Sequence, residues 1–314
     1  MPKMKAVCIE SFGGPETLQV QNIEKPKPDE DEVLVSVRAA SVNPVDYKIR
    51  SGHYPAVKET DLPKVLGRDV CGVVAAVGAG VTEFSEGDEI FAMLDRGSGG
   101  YAEYVTIKAD LCAPKPATLG YAEAAAVPLA ALTAWQGLFD YGRLESGQRV
   151  LIHGGAGGVG HFAIQFAKAR GAQVSTTVSA KDKEFVRALG ADQAIDYKAE
   201  KFEDLVTDVD LVFDLIGGDI QERSWAVLKE GGAMVSTLAK PSDARAAEHH
   251  VRATNYLAQP DASELGAISD LIDNGKVHPV VKATYPLEQA ALAQRALERE
   301  HLSGKVVLQM QMSR

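Results

Sequence analysis

Cysteine is scarce in this 314-residue chain, and the three that occur, Cys8, Cys71 and Cys112, lie far apart with no Cys-x-x-Cys pair. An odd, scattered set excludes a disulfide framework and a thiolate zinc cage, and it points to a reducing cytoplasm. Long apolar runs are lacking: no stretch of about 18 such residues occurs, and the opening MPKMKAVCIESFGGPE has no basic segment leading into an apolar one. Secretion and membrane insertion lose their support, and no membrane partner is expected. Positive charge is in deficit, with 33 Lys and Arg against 43 Asp and Glu and a net charge of −10. That argues against nucleic acid as a partner, and any phosphate-bearing ligand must be held by a local site against an unfavourable overall field. Internal repeats, low-complexity tracts and long linkers are absent as well, so two regions packed directly on each other are expected.

What is present fits about two soluble domains, with 46% hydrophobic and 24% charged residues. The first hundred residues read as short strands, KAVCIE, EVLVSVRAASV, DVCGVVAAVG, DEIFAML and GYAEYVTI, broken by Gly, Pro and Asp turn signals. From about Tyr121 helix and strand alternate: a helical YAEAAAVPLAALTAWQGLFDYG, then QRVLIHG, VGHFAIQFAKAR, QVSTTVS, KDKEFVRALG, QAIDY, VDLVFDLI, a helical QERSWAVLKEGG and the strand AMVSTLA. Alternation of this length implies βαβ crossovers and a parallel sheet. NYLAQP, a helix near SELGAISDLIDNG, PLEQAALAQRALERE and a last strand GKVVLQM complete the chain.

The sharpest motif is VLIHGGAGGVG at 150–160, where Gly155, Gly157 and Gly160 satisfy G-x-G-x-x-G directly after an apolar strand. Val159, Phe162, Ala163, Phe166 and Ala167 then form one apolar helical stripe. A dinucleotide pyrophosphate suits such a loop, because exposed N–H groups and the helix dipole converge there. Gly155, Gly157, Gly158, Val159 and Gly160 are the candidate contacts, against the plainer reading of a glycine-rich turn. At the end of the next strand Ser179 stands where NAD-binding chains place an acid, with Lys181 and Lys183 nearby. A hydroxyl plus a cation suits the 2′-phosphate of NADP(H), with Asp182 the competing ribose ligand and a solvated helix start the plainer alternative. Ile216 and Gly217, with Gly218 behind them, sit at the carboxyl end of a parallel strand where dinucleotides cross the sheet, although such glycines also simply form turns.

SVNPVDYKIRSGHYP at 41–55, LGRDVCGVV at 66–74, GGYAEYV at 99–105, LTAWQGL at 132–138, the glycine loop and GKVV at 304–307 together resemble the quinone oxidoreductase branch, including zeta-crystallin, of the medium-chain dehydrogenase/reductase superfamily. The resemblance covers essentially the whole chain. It implies an α/β protein, with a GroES-like β-rich catalytic domain (1–124 and 261–314) plus a Rossmann doubly wound parallel-sheet domain that binds NADPH (125–260). It further implies that Ser179, Lys183 and Tyr197 hold the 2′-phosphate, that Thr133 hydrogen-bonds the nicotinamide side or only satisfies a helix carbonyl, and that the protein is a homodimer or homotetramer. The strand AMVSTLA is a candidate for pairing across a dimer.

Zinc alcohol dehydrogenases of the same superfamily need a Cys, a Gly-His-Glu and a four-cysteine lobe. This chain has Asn43, Gly67-Arg68-Asp69 and DRGSGG at those places, so no metal is expected. Without a Lewis acid, conjugated acceptors are the feasible substrates, since the developing charge delocalises onto an oxygen that needs only a hydrogen-bond donor. Candidate catalytic residues are Asn43 as an amide donor, Tyr54 as a phenol that can also protonate an enolate, and Asp46 as an orienting group. Asn43 also reads as a turn residue before Pro44, Tyr54 as loop packing, and Lys305 as either a backbone contact to the cofactor or part of a closing strand. The expected function is NADPH-dependent reduction of quinones or other conjugated carbonyls. The alternatives are a 2-alkenal or enone reductase and, in another class, a non-catalytic NADPH-binding sensor or interaction protein.

Overall fold

A computed structural model describes residues 2–300 and 302–311, which divide into two compact units: the described parts of 1–129, 260–273 and 279–314, and residues 130–259 with 274–278. In the first, β1 (Lys3–Ile9), β2 (Gln19–Glu24) and β3 (Glu32–Val42) lead to helix α1 (Pro44–Arg50). Strands β4 (Lys64–Val65), β5 (Asp69–Val77), β6 (Glu89–Met93), β7 (Tyr104–Lys108) and β8 (Cys112–Pro114) follow, then α2 (Tyr121–Ala125). Helix α3 (Pro128–Trp135) carries the chain into the second unit. There β9 (Arg149–His153), α4 (Gly160–Ala169), β10 (Gln173–Val178), α5 (Lys183–Ala188), β11 (Gln193–Asp196), β12 (Val209–Asp214), α6 (Asp219–Arg223), β13 (Leu228–Ser236), α7 (Asp243–Glu248) and β14 (Arg252–Asn255) alternate. Helix α8 (Ala262–Asp273), β15 (Val281–Pro286), α9 (Ala290–Arg299) and β16 (Lys305–Gln309) return to the first unit.

The first unit holds a three-stranded sheet, β2-β1-β4, and a larger one in the order β15-β16-β3-β5-β6-β8, with β7 also paired to β3. All its pairs are antiparallel except β15 with β16. Its core gathers Val33, Val35 and Val37 of β3 with Val70 and Val74 of β5, Ile90 and Ala92 of β6, and Val306 and Leu308 of β16. This is the GroES-like architecture. The second unit is one parallel sheet, β11-β10-β9-β12-β13-β14. Numbered from β9 its order is 3-2-1-4-5-6, the doubly wound Rossmann arrangement.

Four local expectations are corrected. Helix α1 lies in a stretch for which the sequence pattern names no element; Pro44 at its first position and Asp46 two residues later are start signals that the strand-rich neighbourhood obscured. Strand β2 was missed because its residues are exposed or half-buried, which leaves no apolar pattern to read. The long helical stretch from Tyr121 breaks into α2, α3 and a π-turn at Gln136–Tyr141, with Pro128 opening the second piece. In QERSWAVLKEGG the helix ends at Arg223 and Leu228–Gly232 already belongs to β13. AMVSTLA is therefore not a sheet edge, because β14 pairs beyond it.

Candidate active site

In the nucleotide unit, the turn after β9 is pinned to its neighbour: Gly154 and Gly155 both donate their N–H groups to the Thr177 carbonyl, at 3.1 and 3.3 Å. The glycines have distinct reasons. A Cβ on Gly155 would lie 2.1 Å from Thr176 Oγ1, and one on Gly160 would lie 2.3 Å from the Gly154 carbonyl oxygen. Packing of the turn and of α4 onto it forbids both. A Cβ on Gly157 would meet only that same carbonyl, at 3.4 Å, an ordinary contact that packing tolerates. A glycine there leaves backbone open to a ligand, and Gly157, Gly158 and Val159 are half-buried at the head of the ten-residue helix α4. The loop therefore fits a dinucleotide pyrophosphate.

Residues expected at the cofactor's ribose converge as well. Val178 pairs with Asp196 and the Tyr197 N–H donates to the Val178 carbonyl at 3.1 Å, so Ser179 and Tyr197 leave adjacent strands side by side. Tyr197 is 44% exposed, its ring available to a ligand. Ser179 donates its hydroxyl to Asp182, the residue that competed with it as ribose contact. Lys183, at the start of α5, reaches Glu200 Oε2 at 2.9 Å, and that hydrogen bond holds the Glu200 carboxyl below its ordinary range. Thr133 is half-buried in α3, and its carbonyl accepts the Tyr256 hydroxyl.

Asp214, which sequence reasoning passed over, organises the other side of this sheet end. Its Oδ1 accepts the N–H groups of Ile216 (3.0 Å) and Gly217 (2.8 Å), and its Oδ2 accepts Gln221 and Ser236, each at 3.0 Å. Gly217 and Gly218 have φ of +75° and +61°, so both are needed for the turn's conformation. An Asp three residues ahead of a Gly-Gly pair was the available signal. His153, fully buried, bonds Thr177 and Ser224 through its two ring nitrogens, and burial pushes its pKa down to about 4.

In the β-rich unit a buried polar cluster sits at the head of α1. Asp69, at the start of β5, accepts the Ser41 hydroxyl, the Asn43 amide at 2.8 Å and the Leu129 N–H at 2.6 Å. Asp46 Oδ2 accepts the Asn43 N–H at 2.7 Å and the Tyr101 hydroxyl at 2.9 Å, whereas Asp46 Oδ1 is buried with no partner. Burial pushes the Asp46 pKa up to about 6, and with the neighbouring Asp46 it holds the Tyr101 phenol well above its ordinary value. Lys305 donates to the Asn43 side-chain oxygen.

Two expectations change here. The Asn43 amide, expected to face the substrate, donates instead to Asp69, because a fully buried carboxyl must find donors within the fold. Lys305 joins the cluster through its side chain, while its backbone N–H donates to the Val280 carbonyl at 2.8 Å. Tyr54 lies apart, lining a narrow cavity with Lys64, Gly67, Arg68, Arg96 and Ser98. Among the described residues no hydrogen bond joins it to the Asn43 cluster. Arg68 donates two bonds to the Leu94 carbonyl, at 3.0 and 2.8 Å, and among the described residues no group of three His, Cys, Asp or Glu side chains could hold a metal ion.

Comparison with known proteins agrees with this fold. The alcohol dehydrogenase GroES-like domain family matches residues 29–117, and the zinc-binding dehydrogenase family matches residues 189–308. An NADPH-dependent alkenal/one oxidoreductase of Arabidopsis thaliana chloroplasts is 39% identical over 98% of this chain and 80% of its own. The solved quinone oxidoreductase of Coxiella burnetii superposes with a TM-score of 0.93 at 36% identity, covering 99% of this chain and 100% of that one. The chain belongs to the quinone oxidoreductase family of medium-chain dehydrogenases/reductases. Another solved relative, the Escherichia coli quinone oxidoreductase complexed with NADPH, is 30% identical with a TM-score of 0.88, covering 97% of this chain and 99% of that one. In this quinone oxidoreductase family member, the GroES-like match contains Asn43, Asp46 and Asp69, and the dehydrogenase match contains Tyr197, Asp214 and Lys305.

Proposed function

We propose that the protein reduces quinones and other conjugated carbonyl compounds with NADPH. The observation that carries the cofactor is Gly157, where the fold leaves space that its own packing does not use. Bound at this sheet end, NADPH supplies the hydride. The N–H groups of the glycine loop and the dipole of α4 receive its pyrophosphate. Ser179, Lys183 and Tyr197 receive the 2′-phosphate, with the Lys183 ammonium turning from Glu200 towards it, and the Asp214-held turn positions Ile216 and Gly217 along the dinucleotide. In the β-rich unit the buried Asn43, Asp46 and Lys305 cluster supplies fixed dipoles and charge without touching substrate, a field already oriented by the fold that needs no reorganisation when a substrate oxygen gains charge.

The names of the relatives support quinones and enones alike, the alkenal/one oxidoreductase favouring enones. The same proposal includes a cytoplasmic homodimer or homotetramer that works without zinc. In support of the last point, Arg68 and Asp69 are committed to Leu94 and to Ser41, Asn43 and Leu129. Purified protein should oxidise NADPH with a naphthoquinone or a medium-chain enal, and should still do so after chelation. No oxidation with either acceptor overturns the reading.

A further inference from the structure

Lys305 is 3% exposed, yet its direct partner is a neutral amide oxygen and the nearest acid, Asp69, is 3.9 Å away. A buried ammonium is costly unless its surroundings are organised around it. Here the organisation is explicit. Turned over, the Asn43 amide would set its NH2 against the ammonium and its oxygen against Asp69; as placed, its oxygen meets Lys305 and its NH2 meets Asp69 at 2.8 Å and Ser41 Oγ at 3.2 Å. The backbone of the same residue holds Asp46. We propose, resting on the function above, that Lys305 is a positioning residue of the site, its ammonium locking the Asn43 side chain against Asp69 and supplying positive charge to the two buried acids.

The groups facing Asp46 come from several elements: Tyr101 from the turn before β7, Asp69 from β5, Lys305 from β16, and Asn43 from the head of its own helix. Gln294 of α9 reaches Asp46 only through Tyr101, and Arg50 of α1 is turned to Gly13, Gln294 and Glu298. Lys305 favours the ionised form of Asp46, and burial and Asp69 oppose it. Reduction of a conjugated carbonyl consumes one proton for each hydride, so the protonation of groups at this site is visible in the rate.

The test compares Lys305→Gln, which keeps a donor to the Asn43 oxygen without the charge, and Lys305→Met, which keeps neither. Loss of the cation should move the acid limb of the kcat/KM profile to higher pH by about one unit in both variants. It should also cut kcat about tenfold in Lys305→Met and less in Lys305→Gln, with the NADPH KM within about twofold of wild type. A folded variant with wild-type kcat and an unmoved limb overturns the proposal. Independently of turnover and of the variants, carboxyl-carbon and lysine side-chain NMR of the wild-type protein should show Asp46 and Lys305 responding to the same titration; independent titrations overturn it. Absence of turnover with any acceptor would sink the proposed function, while the NMR result would still decide the role of Lys305.

Discussion

The two units of this protein build their polar sites by opposite means. In the nucleotide unit the candidate ligand groups are mostly backbone: a glycine turn pinned to Thr177, and Ile216 and Gly217 held by Asp214, with the exposed Tyr197 ring nearby. In the β-rich unit they are side chains, Ser41, Asn43, Asp46, Asp69, Tyr101 and Lys305, all buried and bonded mainly to one another. A backbone site is robust to side-chain chemistry but intolerant of a Cβ. A buried side-chain network is intolerant of losing any member, because each loss strands a partner away from water.

Removing a member of the network should give the largest effect. Asp69→Ala strands the Ser41 hydroxyl, the Asn43 amide and the Leu129 N–H and leaves the Lys305 ammonium without its acid, so we expect a loss of about 4 kcal/mol in urea unfolding. A loss below about 1 kcal/mol would show that the cluster is wet rather than closed.

Acid titration should separate the units by sign. Asp46 is raised from 3.8 to about 6, so the folded state binds its proton more readily, and this group adds stability as the pH falls from 6 towards 4. His153 is lowered from 6.5 to about 4, so its contribution is present above pH 6.5 and lost as the pH falls towards 4. Each is worth about 3 kcal/mol at most, at about 1.4 kcal/mol per pKa unit, and in the wild type they largely offset. Thermal melts at pH 7 and pH 5 should show a steeper acid loss in Asp46→Asn and a shallower one in His153→Gln. Parallel behaviour of the two variants would contradict the contrast.

Within the glycine loop, Gly160→Ala should cost about 2 kcal/mol because backbone must move. Gly157→Ala should leave the melting temperature nearly unchanged and weaken NADPH binding about tenfold by calorimetry, since it crowds only the ligand's approach. Smallest of all in stability, Lys183→Ala removes a partly exposed ion pair with Glu200 and should leave the melting temperature nearly unchanged. It should raise the KM for NADPH about tenfold while sparing NADH, and an equal effect on both cofactors would remove Lys183 from the 2′-phosphate site.

The legibility of the two sites differs for the same reason as their construction. The glycine spacing, the apolar stripe behind it and the Ser179–Lys183 stretch are local in sequence, and the backbone they dictate is local too. The pairing of Ser179 with Tyr197 needs only the register of neighbouring parallel strands. The side-chain network had no such signature. Asn43, Asp46 and Tyr54 sit close together in sequence, yet only the first two join the cluster.

The sequence by itself determined the two-domain α/β organisation, the nucleotide loop and the family, because hydrophobic period and glycine placement act over a turn or a strand. Only the tertiary structure decided that Lys305, 262 residues beyond Asn43, lies against it, that Tyr101 and Ser41 complete the cluster, and that β14, not AMVSTLA, borders the parallel sheet. Those outcomes depend on which strands become neighbours and on which buried polar atoms must then satisfy one another, and neither is written in any local stretch of the chain.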